Sequence, residues 1–177
     1  MGIRFSDEFV RILTRARDEA LRTGWHNITP DHLMLGILRD KDCEAYDMLR
    51  EAGVDTSDLK DRIDDVLFRE EAIPWSEIDS IRMSDKAASC LNLTVFEAVN
   101  GNSDEVTTAH ILLALTNTAG SLSASFLASM GITHRTLASM AAAGGTQSTS
   151  AMPPVEDIAD ELAILLSSLP SGAGICS

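Results

Sequence analysis

The sequence predicts an all-α fold, on three observations. Helix-length segments recur at a fixed offset of 78 residues, apolar residues inside each copy recur at helical spacing, and only 5% of the 177 residues are aromatic while Ala, Leu and Met are plentiful. The architecture they describe is an eight-helix globule of two four-helix repeats with pseudo-twofold symmetry, plus a C-terminal amphipathic helix.

The offset is set by "ITPDHLMLGIL" and "VTTAHILLALT", which place His32 and His110 at matching points. Phe5–Asp64 then aligns with Met83–Ala142 without a gap. Identities fall at Ser6/Ser84, Asp7/Asp85, Leu13/Leu91, Glu19/Glu97, Ala20/Ala98, Thr29/Thr107, His32/His110, Leu35/Leu113, Leu49/Leu127, Gly53/Gly131 and Leu59/Leu137. These are cap and core positions, and apolar residues exchange for apolar ones between them (Ile28/Val106, Leu33/Ile111, Val54/Ile132).

Ser6 and Ser84 open the first helix of each unit as N-caps, each followed by an acid suited to the positive end of the helix dipole. Phe9, Leu13, Ala16 and Ala20 form its buried stripe, and Gly24 ends it. Thr29 and Thr107 cap the second helix, with Pro30 at a first position that needs no N–H. The third helix spans about Glu44–Ala52 and Leu122–Met130 and stops at Gly53 or Gly131, glycines that tolerate positive φ. Asp55 and Thr133 cap the fourth.

The organisation is therefore a double repeat over 1–144, with repeat one at 5–68, a connector at 69–82 and repeat two at 83–144. Pro74 blocks helix continuation in the connector, and Trp75 is expected to anchor it to the core. A flexible linker at 145–154 leads to a tail helix at 155–169 and a disordered end at 170–177. The tail carries Val155, Ile158, Leu162, Leu165, Leu166 and Leu169 on one stripe.

A net charge of −13 argues against nucleic acid as a partner, since such a surface repels phosphate backbones. The charge is concentrated early. Residues 1–82 hold 12 basic and 19 acidic side chains, 83–144 hold 2 and 4, and 145–177 hold 0 and 4. Cys43, Cys90 and Cys176 are an odd set without CxxC spacing, which fits reduced thiols in a cytosol. No run approaches the roughly 20 apolar residues of a membrane span, so no membrane partner is expected.

His32 and His110 stand three residues after their capping threonines, where a capping box would carry Glu or Gln. An imidazole there can reach back to the cap. A metal site would need a further ligand at i+4, where Gly36 and Ala114 stand, so the structural reading is favoured and no metal or other cofactor is expected. Thr29, His32, Thr107, His110, Gly53 and Gly131 are accordingly assigned to building the fold. His26 and His134 have no counterparts across the repeat and are placed at the surface, while Cys90 is read as a small core residue. No phosphate-binding loop, nucleophile elbow or HExxH motif occurs, so no catalytic residue is assigned and the protein is not expected to be an enzyme.

The repeats differ at one informative place. Arg15 and Asp18 correspond to Leu93 and Phe96. Either the second unit's first helix is buried on more sides, with the tail helix as cover, or Leu93 and Phe96 offer a partner an apolar patch. Extra burial is the favoured alternative.

The stretches "FSDEFVRILTRARDEALRTGWHNITPDHLMLGIL…MLREAGVDTSDL" and "MSDKAASCLNLTVFEA…VTTAHILLAL…FLASMGITHRTL" resemble the duplicated N-terminal domain of the Clp (Hsp100) ATPases. The resemblance covers about Phe5–Ala143, and its repeated T-x-x-H-[LI]-x-L core is specific. It implies a docking platform without chemistry of its own, serving adaptors and substrates of an ATPase ring. The 177 residues contain no ATPase module, as in the stand-alone Clp N-domain proteins. Some relatives bind phosphoarginine through a hydroxyl at the first helix start and an acid just before the motif His. Carried over, these ligand-binding positions are Ser6, Ser84 and Asp31, with Ala109 replacing the acid in repeat two.

The expected function is a non-catalytic, protein-binding accessory or adaptor-like factor of a Clp ATPase/protease system in the cytoplasm. Its partners would be Clp ATPase or protease subunits, adaptors or client proteins. The alternatives are a structural subunit that caps or stabilises a Clp protease ring, and a free-standing phosphoarginine-binding or other ligand-binding domain.

Overall fold

A computed structural model of the chain describes residues 4–69, 71–118 and 120–144. Repeat one runs β1 (Arg4–Phe5), α1 (Asp7–Thr23), β2 (Asn27–Ile28), α2 (Pro30–Arg39), α3 (Glu44–Glu51) and α4 (Thr56–Leu67). A 3₁₀ turn at Trp75–Ser80 leads into β3 (Arg82–Met83), α5 (Asp85–Asn100), β4 (Glu105–Val106), α6 (Thr108–Thr116), α7 (Leu122–Ser129) and α8 (His134–Gly144). The tail helix, the linker and the C-terminal end expected over 145–177 lie outside the described residues.

Caps decide where the helices begin. The Ser6 hydroxyl accepts the Phe9 N–H at 3.1 Å and the Ser84 hydroxyl accepts that of Ala87 at 3.0 Å. Asp55 does the same for Asp58 in α4, at 3.0 Å. Gly24 closes α1 with φ +86°, and Asn102, one repeat later, takes the same left-handed turn at φ 58°. Gly53 and Gly131 follow α3 and α7 with φ of +86° and +80°.

The four short strands are absent from the sequence reading. They pair in parallel, β1 with β4 (Arg4 opposite Glu105) and β2 with β3 (Asn27 opposite Arg82). Shifting Arg4 and Asn27 by 78 residues lands on Arg82 and Glu105, so one pair is the pseudo-twofold image of the other. Each strand that leads into a first helix therefore joins the strand leading into the other repeat's second helix.

That exchange interlocks the units around α2 and α6. Leu33, Met34, Leu35 and Ile37 of α2 and Ile111, Leu112 and Leu115 of α6 are fully buried. A helix apolar on all sides has to sit at the centre, and each is wrapped by elements of both repeats. α1 packs on α2 and α5 on α6, while α3 crosses to α6 and α4 to α7. The connector is pinned to repeat one: the Arg69 and Ile73 N–H groups donate to the carbonyls of Thr23 and Leu21, both at 2.9 Å. Trp75 is half-buried against the core. Trp25 donates its indole N–H to the Leu67 carbonyl at 2.7 Å, beneath the Arg69 guanidinium at 4.0 Å from the ring centre.

Candidate functional site

Two regions carry the sequence-predicted site residues. The first is the pair of strand junctions. Ser6 N–H donates to the Val106 carbonyl and Ser84 N–H to that of Ile28, both at 3.0 Å. Each serine thus lies beside the T-x-x-H motif of the other repeat: Ser84 near Thr29–His32, Ser6 near Thr107–His110. The acid-bearing motif is therefore matched with the hydroxyl of repeat two, a crossing that linear sequence does not reveal.

Asp31 is 7% exposed, with its carboxylate turned to the N-terminus of α7. Oδ1 accepts from the Ser123 N–H at 2.8 Å and the Ser123 hydroxyl at 2.7 Å, and Oδ2 accepts from the Leu122 N–H at 3.2 Å. An anion capping the free N–H groups of a helix from the other repeat is a strong, charge-assisted arrangement. Repeat two has Ala109 here, and the matching N-terminus of α3 is served differently. The Ala45 N–H donates to the Thr108 hydroxyl at 3.1 Å and the Glu44 N–H to Glu8 Oε2 at 3.3 Å. At both junctions the hydroxyls of Ser6 and Ser84 and the Asp31 carboxylate hold helix starts.

The motif histidines close reciprocal capping boxes. Nδ1 of His32 accepts the Thr29 N–H and Nδ1 of His110 accepts the Thr107 N–H, each at 3.0 Å. With Nδ1 accepting, the neutral ring carries its proton on Nε2, and in His32 that atom lies 2.9 Å from the Thr23 hydroxyl. The Thr23 hydroxyl in turn donates a hydrogen bond to the Glu19 backbone carbonyl at 2.7 Å, completing a buried chain. Burial, reinforced by Arg22 and Arg69, lowers His32 to about 4. Burial alone lowers His110 to about 4. Both rings are neutral acceptors at pH 7.

Burial likewise pushes the Cys43 and Cys90 thiols up to about 11, which makes them poor nucleophiles. Among the described residues no cluster of three or more His, Cys, Asp or Glu side chains is arranged to hold a metal ion. His134, expected at the open surface, is half-buried with Nε2 at 2.7 Å from Glu97 Oε1, tying the start of α8 to α5. Its partner comes from a helix far back in the chain, which local pattern does not show.

The second region is the outer face of α5. Leu93 is 36% and Phe96 48% exposed, so the described residues do not supply the extra burial anticipated for this helix. The tail expected to cover them lies outside those residues. The equivalent face of α1 is ionic. Arg11 and Arg15 approach the buried carboxylate of Asp40, Arg22 bridges Glu19 at 2.6 Å and Asp64 at 2.5 Å, and Arg39 reaches Glu19 at 3.1 Å. Repeat two places Ser89, Leu93, Phe96 and Asn100 where repeat one has Arg11, Arg15, Asp18 and Arg22. The buried acids Glu19 and Asp40 were missed in the sequence, because their burial depends on arginines one and several turns away.

The fold and these sites define a duplicated all-helical scaffold, symmetric within and asymmetric on its outer faces. The model of the Clp repeat (R) N-terminal domain matches residues 4–98 and again 82–166, and the chain belongs to that family. The chaperone protein ClpB of Oceanobacillus iheyensis is 23% identical over 175 residues, covering 91% of this chain and 21% of its own length. The negative regulator of genetic competence ClpC/MecB of Bacillus subtilis is 24% identical over 170 residues, covering 90% and 20%. The chain thus spans about a fifth of the length of these relatives. The Hsp104 N-terminal domain from Candida albicans superposes with a TM-score of 0.65 at 18% identity, over 83% of this chain and 96% of that one. The N-domain of ClpV from Vibrio cholerae gives 0.57 at 16%, over 90% and 83%. No helix among the described residues is long and apolar enough to cross a membrane.

Proposed function

We propose that the protein is a non-catalytic protein-binding module of a Clp ATPase/protease system in the cytoplasm. Its partners are Clp ATPase or protease subunits, adaptors or clients. The observation that carries this reading is the α5 face: two large apolar side chains stand in water where the sister repeat keeps charges. Family membership supplies the machine, since its relatives are Clp chaperones. The polar groups of the two motifs argue for binding rather than chemistry, because both motif histidines, Asp31 and both serines are already engaged in capping.

The test uses purified components. The chain is titrated into a ClpC-type ATPase and into the protease chamber, and binding is followed by calorimetry. Binding to either, weakened about tenfold or more by the double substitution Leu93→Arg and Phe96→Asp, supports the proposal; such losses are typical of buried anchors. Absence of binding to both, and to a Clp adaptor and a client protein titrated in the same way, overturns it. Degradation assays then separate roles: client-dependent changes in rate mark an adaptor, and client-blind changes mark a structural subunit.

A further inference from the structure

We infer that the C-terminal end of α4 is a second docking surface, fitted to a polypeptide segment that presents Arg or Lys beside aliphatic side chains. It belongs to repeat one, so it goes beyond the α5 face of repeat two and leaves that face open.

Two large apolar side chains stand in water at this end. Val66 is 58% and Phe68 54% exposed, while Leu67 between them is buried. The backbone holds them in place. The Phe68 N–H donates to the Asp64 carbonyl at 2.8 Å and the Arg69 N–H to that of Thr23 at 2.9 Å. The Leu67 carbonyl accepts the Trp25 indole N–H at 2.7 Å. A patch fixed in this way binds without a large ordering cost.

The acids beside it break two helix rules. Asp61 and Asp65 are exposed like charges at i and i+4, an arrangement that destabilises a helix. Asp65 also stands in the last turn of α4, at the negative end of the dipole, and that turn holds no base. The other acids within α4 are answered, Asp58 by Arg62 at 2.7 Å and Asp64 by Lys60 at 2.8 Å. Asp61 and Asp65 form no ion pair among the described residues. Arg69, next along the ridge from Asp65, lies instead over the Trp25 ring at 4.0 Å from its centre. Nor does the scaffold call for these side chains. At the 78-residue offset, repeat two has Ser139, Ala143 and Gly144 where repeat one has Asp61, Asp65 and Val66. Local rules broken together, with no compensation inside the fold, mark a surface shaped by binding.

Chemistry selects the occupant. A cation set against Asp61 and Asp65 relieves their repulsion and answers the helix dipole, and the open ring of Phe68 offers its face to the same kind of group. Aliphatic atoms next to that cation cover Val66. A second copy is a poor match, because two chains of net charge −13 repel one another.

The experiment uses the full chain and a fluorescent helical peptide of about fifteen residues with Arg and Leu along one face. Two matched peptides carry Glu for Arg or Ser for Leu. Binding is followed by anisotropy, and backbone amide signals are read by NMR. The Arg–Leu peptide should bind and shift the signals of residues 61–69, and both matched peptides should bind about fivefold more weakly or worse. Asp61→Asn/Asp65→Asn and Val66→Ser/Phe68→Ser should each weaken it by a similar factor. All four side chains are exposed, so both variants keep the fold, and the Asn pair should raise the urea midpoint by removing the helix repulsion. No binding of the Arg–Leu peptide, binding that either variant leaves unchanged, or a lowered midpoint for the Asn pair overturns the inference. Binding lost in Leu93→Arg/Phe96→Asp assigns the peptide to α5 and also overturns it. No Clp component is present in any sample, so failure here leaves the calorimetric test untouched.

Discussion

Acidification from about pH 7.5 to about pH 5 should destabilise this fold through His32 and His110. Both rings have folded values of about 4 against an ordinary 6.5, with burial as the leading cause. The unfolded chain therefore binds protons that the folded chain refuses. The stabilisation is complete above pH 6.5 and is lost as pH falls from 6.5 towards 4. At about pH 5 the loss is roughly 2 kcal/mol per imidazole, or roughly 3–4 kcal/mol for the pair once the half-buried His110 is discounted. That is a large share of the 5–15 kcal/mol typical of a whole domain. Asp18 and Glu44, whose carboxyls burial pushes up, act in the opposite direction as pH falls. The assay is urea unfolding followed by circular dichroism, with the midpoint falling by about 1.5 M between the two pH values. The control is His32→Gln/His110→Gln, since Gln closes the same capping box without titrating; its midpoint should be nearly flat over that range. A wild-type midpoint that does not move, or a double variant that falls as steeply, refutes the reasoning.

Other consequences can be read from single residues. Asp31→Ala removes three hydrogen bonds to α7 and a helix-capping charge, and should cost roughly 2–4 kcal/mol in the same unfolding assay; a loss below about 0.5 kcal/mol would contradict the cross-repeat cap. Gly24→Ala places a Cβ 2.4 Å from the Glu71 carbonyl oxygen in a left-handed turn, so the connector must shift. A destabilisation of about 1–3 kcal/mol is expected, and a neutral outcome would show the contact to be soft. Cys43 and Cys90, buried with thiols raised to about 11, should resist a thiol reagent at pH 8 until denaturant is added. Rapid labelling of either in the native protein would contradict the packing.

What the sequence disclosed and what it concealed divide by range. Ser6, Thr29, Ser84 and Asp55 act within three residues of themselves, so their capping roles follow from local pattern. The 3.6-residue stripe locates α1, and the capping threonines locate α2 and α6, for the same reason. The strand pairs are two residues long, too short to show a period of two, and their partners lie about a hundred or more than fifty residues away. In the sequence Asp31 stands only as a ligand position carried over from the family resemblance. Its donors are 91 and 92 residues along the chain, and only the folded backbone brings them within reach. Leu93 and Phe96 were visible as a departure between repeats, and the tail helix expected to cover them lies outside the described residues.

The asymmetry of the repeats follows from what each position must satisfy. Cap and core positions answer to the same geometry twice, because the strand exchange places each repeat's helix starts against the other's. A change there leaves N–H groups orphaned or a cavity in a shared core, and the identities gather at such positions. Where the repeats differ, at Asp31 and Ala109, Thr108 and Glu8 accept from the N–H groups that start α3. The outer faces of α1 and α5 carry no such reciprocal duty. Arginines on α1 fold back onto Asp40, Glu19 and Asp64, and a partner would lose free energy by desolvating those ion pairs, while Arg15 Nε and Asp18 Oδ1 have no hydrogen-bond partner among the described residues. Apolar atoms on α5 gain free energy from any matching cover. The two repeats thus share one scaffold and differ on their outer faces, ion pairs on α1 and exposed apolar side chains on α5.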